Sequence, residues 1–162
     1  MKFVVDVMLG KLAKWLRILG FDAAYASRAE DRELLRTARR ERRVLLTRDH
    51  GLMRAATNVR GLLIESEDWR LQLAQVLDTF DLRDKARPMT RCLRCSVRLK
   101  RLSRKNARNL VAPFVFERAR VFSLCPLCGR VYWPGTHFGD MDRKLAAILG
   151  RPDRVPGSGG SK

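Results

Sequence analysis

Short apolar runs alternate with stretches of helical period over the first eighty residues, and this alternation restricts the chain to few folds. Phe3–Val5, Asp22–Tyr25, Val44–Leu46 and Gly61–Ile64 read as short strands. Between them, Leu9, Leu12, Ala13, Leu16 and Leu19 recur at helical spacing and Gly20 offers a natural stop. Glu30–Arg42, with Leu34, Leu35 and Ala38 as its apolar stripe, and His50–Ala56 read as further helices, and Trp69, Leu73, Val76, Leu77 and Phe80 mark a fourth. Strands alternating with helices predict right-handed βαβ units, and therefore an α/β fold whose parallel sheet is covered on both faces.

The pattern breaks at 81–88. From Thr90 onward cysteines and basic residues dominate and no helical period is evident. Here Phe114-Val115-Phe116 and Arg120-Val121-Phe122 suggest a β-hairpin, Arg130–Trp133 a strand and Asp140–Leu149 a terminal helix. Arg151–Lys162, rich in Pro, Gly and Ser, reads as a disordered tail. The expected domains are thus 1–84, 88–150 and the tail 151–162.

All four cysteines fall in two Cys-x-x-Cys pairs, Cys92/Cys95 and Cys125/Cys128. Each pair grips a metal from one tight turn, and two pairs complete a tetrahedral thiolate shell, so structural Zn²⁺ is expected in preference to disulfides or a redox pair. Such a shell has no open position for water. Gly129 suits the turn after the second pair.

Charge singles out the same half. The chain carries 34 Lys+Arg against 17 Asp+Glu; residues 1–87 have a net charge of +5 and residues 88–162 one of +12. Arg91, Arg94, Arg98, Lys100, Arg101, Arg104, Lys105 and Arg108 put eight cations into eighteen residues, with no acid between 85 and 116. Like charges at that density repel, so a polyanion partner, nucleic acid before membrane surface, is the reading; arginine-rich coding bias is the bland alternative. Tyr132, Trp133 and His137 follow and are candidates to stack on bases, with core packing the competing role for the first two. The opening residues do not read as a signal peptide, no apolar stretch approaches membrane-spanning length, and a cytoplasmic protein with no obligatory protein partner is expected.

Against this basic background three aspartates fall at the carboxyl ends of expected strands, where loops of a parallel sheet converge: Asp6 after the first, Asp49 after the third, and Asp31 at the start of the helix after the second. Hard oxygen ligands so gathered suit Mg²⁺ or Mn²⁺ and phosphodiester chemistry. For Asp49, just ahead of a helix, the competing role is an N-cap. Glu30, Glu33, Glu67 and Asp68 are weaker candidates for a fourth acid. Lys11, in the first turns of the helix that follows Asp6, and Arg48, beside Asp49, are candidates to touch a phosphate, and Arg17 lies on the same helix as Lys11.

Asp6-x-Met8-Leu9-Gly10-Lys11-Leu12-Ala13-Lys14-Trp15-Leu16-Arg17-x-Leu19-Gly20 and Leu46-Thr47-Arg48-Asp49 resemble the Mut-seven C-terminal family of PIN-like ribonuclease domains. Arg91-Cys92-x-x-Cys95, Cys125-Pro126-x-Cys128-Gly129-Arg130-Val131-Tyr132-Trp133 and Gly135-x-His137 resemble that family's zinc ribbon. The resemblance spans about residues 1–140. It implies a PIN-like three-layer α/β/α core with a small zinc ribbon, Asp6, Asp31 and Asp49 as acids for Mg²⁺ or Mn²⁺, Lys11 and Arg17 as first-motif residues, and RNA as the substrate cleaved. A PIN domain usually has a fourth acid; position 66 is Ser, followed by Glu67 and Asp68. The expected function is a metal-dependent ribonuclease acting on structured, tRNA-like RNA. A non-catalytic RNA-binding adaptor and a toxin-like PIN protein are the alternatives.

Overall fold

The computed structural model describes the backbone of residues 1–134 and 138–150, with side chains throughout except at 138–142. The expected tail 151–162 and His137 lie outside the described residues. Two compact units emerge among the described residues: 1–101 with 124–130, and 102–123 with 131–134 and 138–150.

The first unit is built on a four-stranded parallel sheet. β1 (Lys2–Val5), β2 (Asp22–Tyr25), β3 (Val44–Thr47) and β4 (Gly61–Leu63) lie in the order β2-β1-β3-β4. The two central strands are apolar except for Lys2 at the start of β1 and Thr47 at the end of β3, because helices cover both sides: Phe3, Val4 and Val5 and all of β3 are buried. α1 (Gly10–Ile18) and α4 (Trp69–Thr79) pack together on one face, where the Phe3 ring meets Phe80 with centroids 5.8 Å apart. α2 (Asp31–Glu41) and α3 (His50–Ala55) cover the other, burying Leu34, Ala38, Leu52 and Ala56 against Val4 and Leu45.

This topology has one functional consequence. The β1–α1–β2 crossover moves one way along the sheet, whereas β3–α3–β4 moves the other. Chains leaving β1 and β3 therefore depart to opposite faces and open a crevice between the carboxyl ends of those two strands.

Gly20 ends α1 as expected. Its φ of +89° is left-handed, and a Cβ there would stand 2.1 Å from the Arg87 carbonyl oxygen, so no other residue fits without moving backbone.

The second unit contains α5 (Arg104–Ala107), α6 (Pro113–Arg118) and α7 (Phe138–Leu149); β5 (Lys100–Leu102), β6 (Phe122–Leu124) and β7 (Val131–Tyr132) form a separate sheet in that order. The expected hairpin over 114–122 is absent: Phe114-Val115-Phe116 is helical and only Phe122 of the second run enters a strand. Pro113, at the first turn of α6, has the φ and the missing N–H that a helix start tolerates, and Val115 and Phe116 donate their N–H groups to the Ala112 carbonyl. Aromatic and β-branched content favoured a strand; the proline overrode it.

Candidate active edge and metal centre

Asp6 leaves β1 directly into the crevice and is buried, 4% exposed. Its Oδ1 accepts from the Val7 N–H (2.6 Å) and its Oδ2 from the Thr47 hydroxyl (2.6 Å) at the end of β3. The Thr47 oxygen in turn accepts the Asp49 N–H at 2.9 Å. Asp6 and Asp49, 43 positions apart in the sequence, are thus coupled through one buried threonine across adjacent strands. In the sequence Thr47 has no role of its own: its signals are its place in the Leu46–Asp49 motif and its position closing an otherwise apolar strand.

Asp49 is exposed and caps α3, its Oδ1 accepting from Gly51 and Leu52 N–H groups. These bonds, Leu52 first and then Gly51, hold its carboxyl below the ordinary carboxylate value. The cap uses one oxygen and leaves Oδ2 for another partner. Asp31 occupies the first position of α2, exposed, on the loop side of β2. Lys11 sits one residue into α1, its ammonium 5.8 Å from the Trp69 ring, which stacks on Trp15 at 4.7 Å. Arg48 pairs with Glu67 at 3.0 Å, drawing the loop after β4 to this edge, while Asp68 caps α4.

Arg17 does not belong here. Its guanidinium is buried and donates from Nε to the Ala23 carbonyl (2.8 Å) and from Nη1 to the carbonyls of Leu93 (2.8 Å) and Arg94 (3.0 Å). Burial pushes its pKa down, against the raising influence of Cys92 and Cys95. The first-motif arginine is a clasp that holds the Cys92–Cys95 turn to α1 and β2.

Other contacts tighten the same clasp. Arg91 reaches the Gly20 carbonyl, Asp22 and the Ser96 carbonyl, and so is not one of the free basic residues. Asp22 also receives Arg43 at 2.6 Å. The Ser96 hydroxyl accepts the Ala23 N–H of edge strand β2 at 2.9 Å.

The two cysteine turns are near copies. Cys92 N–H bonds to Val97 O and Ser96 N–H to Cys92 O; likewise Cys125 N–H bonds to Arg130 O and Gly129 N–H to Cys125 O. The fifth residue of each turn is left-handed, Ser96 at φ 60° and Gly129 at φ 71°. Nothing lies within 4 Å of a Cβ added to Gly129, so backbone angle and not space favours glycine there.

The four sulfurs lie within 4.8 Å of one another. Tetrahedral thiolates about 2.3 Å from zinc stand about 3.8 Å apart, and Cys92 and Cys128 Sγ are 3.7 Å apart. Desolvation, then hydrogen bonds with Cys128 and Cys92, push the Cys95 thiol up to about 12. Sulfurs this close resist sharing negative charge, and a bound cation is what lets them ionise together. The cysteines are thus positioned to hold a metal ion. Among the described residues, the aspartates do not form a cluster of that tightness.

Of the other basic candidates, Arg94, Arg98, Lys100, Arg101, Lys105 and Arg108 are exposed, and Trp133 is 38% exposed. Tyr132 is half-buried in β7. Arg104 is engaged within its own unit, donating to the Ala119 carbonyl at 2.6 Å and lying 4.1 Å from the Phe116 ring centroid.

The parallel sheet flanked by helices and the four cysteines positioned to hold a metal ion together define an α/β protein with a zinc-ribbon-like cysteine cluster. The description Mut7-C RNAse domain matches residues 1–145, and the chain belongs to that family. Membership points to nuclease activity with RNA as the substrate. Comparison with curated proteins and comparison with solved structures each return no match. No helix among the described residues is long and apolar enough to cross a membrane.

Proposed function

We propose that this protein is a ribonuclease dependent on Mg²⁺ or Mn²⁺, hydrolysing RNA phosphodiester bonds at the crevice between β1 and β3. The observation that carries this reading is the Asp6–Thr47–Asp49 linkage at the switch point, in a member of an RNAse domain family. Asp6 and Asp49 are the core of the ion site, and Asp31 joins them from the β2–α2 side. When bound, Mg²⁺ or Mn²⁺ supplies charge neutralisation at the phosphate and acidifies water. Thr47 fixes the Asp6 carboxylate by donating to Oδ2, leaving each Asp6 oxygen a lone pair to direct outward. Lys11, at the entrance beside Trp69, neutralises a phosphate oxygen of the bound strand. The products carry a 5′-phosphate and a 3′-hydroxyl.

The cysteine centre holds Zn²⁺ with a structural role, because its four thiolates leave no position for water. The exposed cations Arg94, Arg98, Lys100, Arg101, Lys105 and Arg108, with Trp133, grip structured, tRNA-like RNA. The chain works in the cytoplasm, with residues 1–84 as the nuclease domain and 88–150 as the RNA-gripping module.

One observation favours a second reading, an RNA-binding adaptor: both Asp6 oxygens and one Asp49 oxygen are already bonded to protein donors. Incubating structured RNA with wild type, Asp6→Asn and Asp49→Asn at millimolar Mg²⁺ or Mn²⁺ separates the two. Cleavage by wild type and its loss in both variants supports the nuclease; RNA bound and left intact by all three supports the adaptor.

A further inference from the structure

An open cleft of about 520 Å³ lies between the β2–α2 loop and the Cys92–Cys95 turn, walled by Tyr25, Ser27, Arg28, Glu33, Arg17 and Arg94. We propose that this cleft binds a backbone phosphate of the RNA strand that the crevice cleaves, so that the cysteine turn forms one wall of the substrate channel. The inference rests on the ribonuclease reading and assigns that site a second phosphate-binding position.

Charge and geometry carry it. Three guanidinium groups and one carboxylate line the walls, and the carboxylate is already engaged: Glu33 Oε2 accepts the Glu30 N–H at 3.2 Å, within the α2 cap. Arg17 is spent on backbone carbonyls and sets the wall's shape. Arg28 and Arg94 are both exposed, and neither side chain has a hydrogen bond or ion pair among the described residues. Two unpaired guanidinium forks facing one cleft suit the bidentate geometry of phosphate.

Placement links the cleft to the chemistry. Its Tyr25 wall pairs in register with Val5 on β1, and the Tyr25 hydroxyl donates to the Val7 carbonyl at 3.0 Å, so the two residues flanking Asp6 both touch this wall. A strand whose phosphate rests on Arg28 and Arg94 therefore passes onward to the acids across Tyr25. Arg94 is held in place by the Arg17 clasp through its own carbonyl.

The test uses the full chain, zinc retained, with no Mg²⁺ or Mn²⁺ added, and a fluorescein-labelled single-stranded heptauridylate read by anisotropy. Arg28→Ala/Arg94→Ala should weaken binding by about tenfold and reduce the salt slope by about 0.7, the value for one phosphate contact on a single strand. Lys2→Ala/Arg42→Ala removes equal charge from the opposite edge of the sheet and should change affinity less than about twofold. A set of heptauridylates, each with one neutral methylphosphonate linkage, then locates the contact. Wild type should lose affinity sharply at one linkage, and the Arg28/Arg94 variant should be indifferent to it.

Equal losses from the two charge-removing pairs would mean diffuse attraction and overturn the cleft. So would a flat methylphosphonate profile, or competition by an oligoglutamate peptide as strong as that by RNA of equal charge. If the profile holds and Mg²⁺ or Mn²⁺ brings no cleavage of structured RNA, the nuclease reading falls and the phosphate cleft stands; a chain that binds no RNA at all ends both.

Discussion

Replacing Arg17 with Ala should damage stability far more than chemistry. The side chain is 6% exposed and supplies three N–H···O=C bonds, to Ala23, Leu93 and Arg94. Hydrogen bonds from a charged donor contribute about 1.5–3 kcal/mol each, so removing three leaves a gross deficit of roughly 5–9 kcal/mol. Relief from burying a cation offsets several kcal/mol of that. The net expectation is a loss of about 3–4 kcal/mol for Arg17→Ala. Arg17→Lys keeps the charge but not the fork, and should lose about half as much. Urea denaturation of the zinc-loaded chain, followed by circular dichroism, measures both. Folded Arg17→Ala at low temperature should cleave RNA with kcat within about threefold of wild type, because the guanidinium faces backbone and not the acids. A stability loss below about 1 kcal/mol together with a hundredfold fall in kcat would refute this reasoning and return Arg17 to the catalytic edge.

Other consequences can be checked with the same preparations. Cys92→Ser should abolish stoichiometric zinc, measured by elemental analysis. It should also lower the melting temperature of the parallel-sheet unit, since the cysteine turn is bonded to β2 and α1. At Ser96, alanine should prove less stable than glycine by about 1 kcal/mol: both lose the bond to Ala23 N–H, but only alanine retains the left-handed strain at φ 60°. Asp49 and Asp78, with an ordinary value of 3.8, and Glu41, with 4.5, are all held lower in the fold. Backbone donors from Leu52 and Gly51 lower the first, Arg83 the second, and Arg40 and Arg43 the third. These carboxyls release their protons more readily folded than unfolded, so their contribution is complete above those ordinary values. It disappears as pH falls through the folded values, and denaturation midpoints taken between pH 6 and pH 2.5 should drop mainly below about pH 4.5.

Particular residues show how far the sequence could be read. The strands were legible because a central parallel strand must be apolar on both faces, which makes Phe3–Val5 and Val44–Leu46 conspicuous. The helices were legible from their 3.6-residue stripe and, at Gly20, from a stop that tolerates φ +89°. The acidic edge followed from topology, since residues after β1 and β3 must share one end of the sheet. Roles set by distant partners were hidden. Arg17 owes its role to carbonyls 76 and 77 positions away, and Ser96 its hydroxyl to an N–H 73 positions away. Neither has a local pattern. Arg91 was hidden for the same reason, counted among free cations while bonded to Asp22 and Gly20. The 113–118 segment failed for a local reason: one turn and a half is too short for a period to show, leaving strand propensity to mislead.

Mn²⁺ titration of the zinc-loaded chain, followed by electron paramagnetic resonance, decides whether Asp6 and Asp49 hold a divalent ion at the β1–β3 crevice. The expected result is saturable Mn²⁺ binding that is lost in both Asp6→Asn and Asp49→Asn while the zinc content stays at one per chain. Mn²⁺ binding of equal affinity in wild type and both variants, or none in wild type, would contradict it.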